Sequence, residues 1–107
     1  MRTEVQRLFS DEHLDALVYP SWNNPPRLLG DLNTPDGSNG PRIASVIGFP
    51  AITVPMGFVR NQTLPVGLEM LGAEWSETQL LELAYAYETA THLRRAPTHT
   101  PPLAKSR

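Results

Sequence analysis

The chain has 107 residues, 40% of them hydrophobic and 19% charged, with a formal net charge of −2. That is enough for one modest core and too little clustered positive charge for a nucleic-acid arm or a polybasic membrane patch. With no cysteine, disulfides and thiolate zinc sites are excluded. No apolar run would span a bilayer and the first residues carry no apolar leader, so a cytoplasmic setting is the expectation.

Val5, Leu8 and Phe9 stand at i, i+3 and i+4, the apolar face of a short opening helix. Leu14 to Tyr19 is mostly apolar, does not alternate and is closed by Pro20, which predicts a strand buried on both faces. From Pro20 to Pro41 the pattern gives way to turn chemistry, with Asn-Asn-Pro-Pro at 23–26 and Pro-Asp-Gly at 35–37. So long a connection is either functional or packed against something else.

Ile52, Val54, Met56 and Phe58 alternate, and Pro55 among them requires an edge or a bulge because it has no N–H to give a ladder. Val66, Leu68 and Met70 alternate in turn, and the polar segment 59–63 between the two runs predicts an antiparallel hairpin. Asn61-Gln62-Thr63 matches a glycosylation sequon, which requires export to be used. A last helix is predicted from Ser76 as N-cap with Gln79 completing a capping box, and Trp75 and Leu80 forming a hydrophobic staple. Leu80, Leu83, Ala84, Tyr87 and Thr91 mark its buried stripe. His92, Arg94 and Arg95 suit its negative end and Pro97 its stop. Residues 1–97 are read as one unit and 98–107 as a mobile tail.

Four segments in order, Leu14-Asp-Ala-Leu-Val-Tyr-Pro20, Gly48-Phe-Pro-Ala-Ile-Thr-Val-Pro-Met-Gly57, Leu64-Pro-Val-Gly-Leu-Glu-Met-Leu-Gly72 and Ser76-Glu-Thr-Gln-Leu-Leu81, resemble the closing part of the amidase-signature family. The resemblance implies an α/β piece of a larger mixed sheet: one buried strand, a hairpin and flanking helices. It also implies a parent reaction, hydrolysis of a carboxylic amide without metal or organic cofactor. Members of that family are similar in using a Ser nucleophile, a second Ser in a cis peptide and a Lys base, with serines in a Gly-Gly-Ser-Ser-Gly-Gly-type loop. No such loop occurs here, and Lys105, the one lysine, lies in a Pro-rich tail where nothing would desolvate it. The expectation is therefore a C-terminal portion without catalytic residues of its own, inactive alone. Its partners would be the missing N-terminal portion or a second copy, with a small-molecule amide as substrate of the complete enzyme. The alternative from another class is a non-catalytic module that pairs through its sheet edge.

Asn39, Arg42 and Ser45 precede the Gly48-Phe49-Pro50 turn, where the resemblance implies approach to the substrate cavity. They either line that pocket or serve as a turn residue, a solvated charge and a cap. His13, His92 and His99 fall in no triad motif, and His92 and His99, seven apart with Pro97 between them, are no helical metal pair. No metal or cofactor is expected.

Overall fold

The computed structural model describes residues 1–35, 37 and 42–105. Its elements are α1 (Arg2–Asp11), β1 (Leu17–Pro20), α2 (Ile43–Ile47), β2 (Ala51–Val59), β3 (Leu64–Leu71) and α3 (Glu77–Thr91). The three strands form one sheet in the order β1-β3-β2, with β3 antiparallel to both neighbours. β1 and β2 thus run parallel to each other on either side of β3, joined by the long connection that carries α2.

Register decides what each face buries. Leu17, Leu71 and Ala51 share one face, and Val18, Met70 and Ile52 the other. On the first, Leu71, Leu17 and Tyr19 pack with Phe9 of α1, Ile47 of α2 and Phe49. On the second, Val54 and Met70 pack with Leu80 and Ala84 of α3. The sheet is therefore the middle of three layers, an α/β arrangement with a small core on each side.

Within this piece the described strands are antiparallel, since both outer strands pair only with β3. One expectation about the sheet is corrected. β1 is not buried on both faces: α3 packs against Val54, Ile52 and Met70, so Val18, on the same face but at the far edge of the sheet, stays 60% exposed. Residues 14–16 also lie outside the strand, since the chain turns through His13 at φ 51° and Leu14 N–H caps the Phe9 carbonyl at 3.0 Å.

The hairpin forms as predicted, and both readings of Pro55 hold. β2 is an edge strand, and the register slips between Pro55 and Gly57, leaving Met56 as the extra residue of a bulge. Gly57 takes φ 142°, open only to glycine at low cost. The slip overturns the expected common face of Ile52, Val54, Met56 and Phe58. Val54 pairs with Leu68 but Phe58 with Pro65, three residues away on β3, so Phe58 leaves the face that α3 covers. At the hairpin tip Arg60, Asn61 and Gln62 are all left-handed, with Thr63 N–H closing onto the Val59 carbonyl at 3.1 Å.

The predicted α3 forms with Leu80 and Ala84 buried, but its ends differ from expectation. No capping box is made. The Ser76 hydroxyl donates to the Ala73 carbonyl at 2.7 Å, and Gln79 reaches away to donate to the Asp15 carboxylate at 2.9 Å. No staple is made either: Trp75 has φ 63°, which swings its ring out to 85% exposure. At the other end His92 turns left-handed and stops the helix five residues before Pro97, so Arg94 and Arg95 fall beyond its last turn. Arg95 instead lies over the Phe58 ring, 3.7 Å from its centroid.

Tyr19 gives the fold a pH signature. Its hydroxyl donates to the Glu69 carboxylate across the β1–β3 ladder at 2.9 Å. Partial burial, then the hydrogen bond and charge of Glu69, push the phenol well above the ordinary tyrosine range. The folded state thus favours the neutral phenol. That contribution is complete below about pH 10, where the unfolded phenol also keeps its proton, and is lost as pH rises toward the higher folded value. Tyr19→Phe should flatten the loss of stability above about pH 10 in urea melts, while lowering stability near neutrality by about 1 kcal/mol.

Candidate functional site

Of the three residues singled out before the Gly48-Phe49-Pro50 turn, Asn39 lies outside the described residues. Arg42 and Ser45 come together in the first turn of α2. Arg42 is its N-cap, and its carbonyl accepts from the Ser45 hydroxyl at 3.0 Å and from Val46 N–H at 3.2 Å. Both side chains are exposed. Gly48 ends this short helix in a left-handed conformation, and the Arg2 guanidinium donates to the freed Ile47 carbonyl at 2.8 Å while pairing with Glu74. These bonds fix the turn that leads into β2.

Hydroxyl chemistry is locally absorbed. Ser10, Ser45 and Ser76 each donate to a carbonyl three or four residues back, and Ser21 to Thr53 Oγ1 at 3.4 Å. A serine nucleophile needs a base within hydrogen-bond reach, and none of these hydroxyls donates to a histidine or lysine. Lys105 is exposed in the tail. Among the described residues no group of three His, Asp or Glu could hold a metal ion, and no helix is long and apolar enough to cross a membrane.

A sizeable concavity lies elsewhere, between the connection after β1 and the hairpin. It measures about 600 Å³ and is walled by Trp22, Pro25 and Pro26 on one side and Met56, Val59 and Val66 on the other. Neither Arg42 nor Ser45 lines it. The connection is held in place at several points. Ser21 N–H donates to the Gly67 carbonyl at 2.9 Å, and a Cβ on Gly67 would stand 2.7 Å from Thr53 Cγ2 and 3.0 Å from Ser21 Oγ. Only glycine admits so close an approach. Asp31 accepts from Asn33 N–H and Thr34 N–H, both at 3.0 Å. The Thr34 side chain, then the Thr34 and Asn33 backbone, hold its carboxyl below the usual range. Arg60, from the hairpin tip, donates to the Pro26 carbonyl at 3.1 Å. The sequence marked this stretch as functional or packed; Trp22 and Met56, its apolar walls, carried no signal of being opposite each other.

Residues 1–81 match the family model described as Amidase. The chain belongs to the amidase family. Over 116 aligned residues it is 34% identical to a glutamyl-tRNA(Gln) amidotransferase subunit of Synechococcus sp. strain JA-3-3Ab, covering 99% of this chain and 22% of that protein. It is 35% identical over 105 residues to the protein of the same name from Symbiobacterium thermophilum, covering 85% of this chain and 20% of that protein. The solved native peptide amidase from Stenotrophomonas maltophilia superposes with a TM-score of 0.65 at 38% identity, over 88% of this chain and 20% of that one. The chain thus spans about a fifth of the length of the amidase relatives it matches. The fold described above is a part of theirs: a three-stranded antiparallel sheet with its helices.

Proposed function

We propose that this amidase-family chain is the C-terminal segment of an enzyme that hydrolyses carboxylic amides, contributing support and substrate contacts but no covalent chemistry. The observation that carries this reading is the state of its serines. No two of its six are adjacent, and the four named above donate their hydroxyls to carbonyls or to another hydroxyl, not to a histidine or lysine. An acyl-enzyme needs an activated nucleophile and preorganised donors for the oxyanion, and these would come from a preceding portion of such an enzyme. Asn39, Arg42 and Ser45 would contribute binding there, ahead of the hydrogen-bonded turn that leads into β2.

Purified alone, the chain should turn over none of a panel of aryl and fatty amides above background. Added to the Stenotrophomonas maltophilia peptide amidase from which the matching fifth has been deleted, it should restore hydrolysis. Turnover by the isolated chain that disappears in Ser45→Ala would overturn the reading, as would a stable complex of the two pieces with no activity.

A second reading is favoured by the outer edge of β1, which pairs with no described strand and carries the exposed Val18. On this reading the chain is an interaction module that joins a partner or a second copy through that edge. Light scattering across a tenfold dilution separates the two: a discrete dimer that persists, with no complementation, favours the module.

A further inference from the structure

We infer that the cleft between the post-β1 connection and the hairpin is a seat for an uncharged apolar group, aromatic or branched aliphatic, of an amide ligand. Its volume of about 600 Å³ falls in the range of small-molecule sites, which are mostly apolar with a few polar groups at the rim. Here the walls are an indole, prolines, a thioether and two valines. Among the described residues no carboxylate or lysine lines it. Arg27, the one charged residue among the described lining residues, donates to the Thr34 carbonyl at 3.4 Å. A cationic ligand group entering the cleft would lose its water and meet no carboxylate among the described lining residues, only the Arg27 guanidinium. Asn24, which also lines the cleft, carries the amide-type donors and acceptors that a ligand amide needs.

The two walls come from segments far apart in sequence, and the site depends on their being held together. Arg60 does this by bridging the left-handed tip to the Pro26 carbonyl, and Ser21 does it at the floor through Gly67. Met56 faces the cleft because it is the bulged residue, displaced from the alternation of β2. The bulge that interrupts the ladder thus supplies a wall of the cavity, the use to which bulges beside sites are often put.

The inference rests on the amidase reading only in naming an amide as the ligand. Trp22 supplies the signal once the exposed Trp75 is replaced by phenylalanine. In that Trp75→Phe chain, 4-phenylbutyramide should shift the remaining indole emission saturably, at least tenfold more tightly than 4-guanidinobutyramide. Met56→Asp should weaken 4-phenylbutyramide at least tenfold in a chain that still melts cooperatively. Should that variant fail to fold, Val59→Asp at the tip end of β2 makes the same test. Equal affinity for the two amides, or binding unchanged in the aspartate variant that folds, would overturn the inference. Binding as expected with failed complementation would sink the amidase reading and leave the cleft, whereas complementation with no indole response would do the reverse.

Discussion

Truncating Leu80 to alanine should lower stability by about 2–5 kcal/mol, read as a shift in the urea midpoint with little change in slope. Leu80 is 3% exposed and lies in the α3-side core with Val54, Met70 and Ala84, and Leu83 and Tyr87 pack around it. That core is one of only two among the described residues, each built on four buried side chains, so there is little else to collapse into the hole. Domains of this size hold about 5–15 kcal/mol in total, which makes the loss a large fraction. Leu81→Ala is the control: one residue on, 60% exposed, it should stay within about 0.5 kcal/mol. Equal effects at the two positions would mean that α3 packs by another face.

The other large effect is expected at Gly72. Its N–H donates to the Pro50 carbonyl at 2.9 Å, and a Cβ added there would fall 2.3 Å from Ser76 Oγ and about a van der Waals distance from Leu80. Gly72→Ala should therefore cost about 1–3 kcal/mol through overpacking. The cause makes a sharper claim than the magnitude. Ser76→Ala by itself removes the bond to the Ala73 carbonyl and should cost about 1 kcal/mol or less. Combined with Gly72→Ala it removes the clashing oxygen, so the double variant should be more stable than Gly72→Ala alone. Thermal melts of the four proteins give the coupling directly; strict additivity would show that the glycine is needed for some other reason.

The junction around Ser76 also shows what can and cannot be seen in a sequence. The stripe on α3 was legible, since Leu80 and Ala84 follow a period that any packed helix must obey. The capping box was not, although Ser76 and Gln79 have the right spacing. A cap is one of several bonds a hydroxyl can make, and here the tight turn through Gly72 and Ala73 offers a nearer carbonyl, while Asp15, distant in sequence, offers Gln79 a charged acceptor. Tertiary partners outbid the local motif. The same holds for β1. Its apolar run suggested burial on both faces, but how far α3 extends across the sheet decides that, and a strand's own residues do not encode it. For Pro55 the sequence was explicit about an edge or bulge, yet the side on which Phe58 emerges depends on which residue is the extra one. The apolar cleft was legible only as an overlong connection, because its opposing wall comes from the hairpin.

The strand order β1-β3-β2 also has a kinetic meaning. β2 and β3 are joined by a four-residue tip, and α3 is the next element after β3, so two of the three strands and one core can assemble from neighbouring stretches of chain. β1 meets β3 only across a long loop: Tyr19 and Glu69 are separated by 50 positions, against 12 for Pro55 and Gly67. Loop-closure entropy makes the longer contact dearer by about 1 kcal/mol before any packing is gained. The hairpin with α3 is thus the natural early unit, and α1 with β1 the part that docks late and opens first. Amide protons in β1 should exchange with solvent well before those shared by β2 and β3.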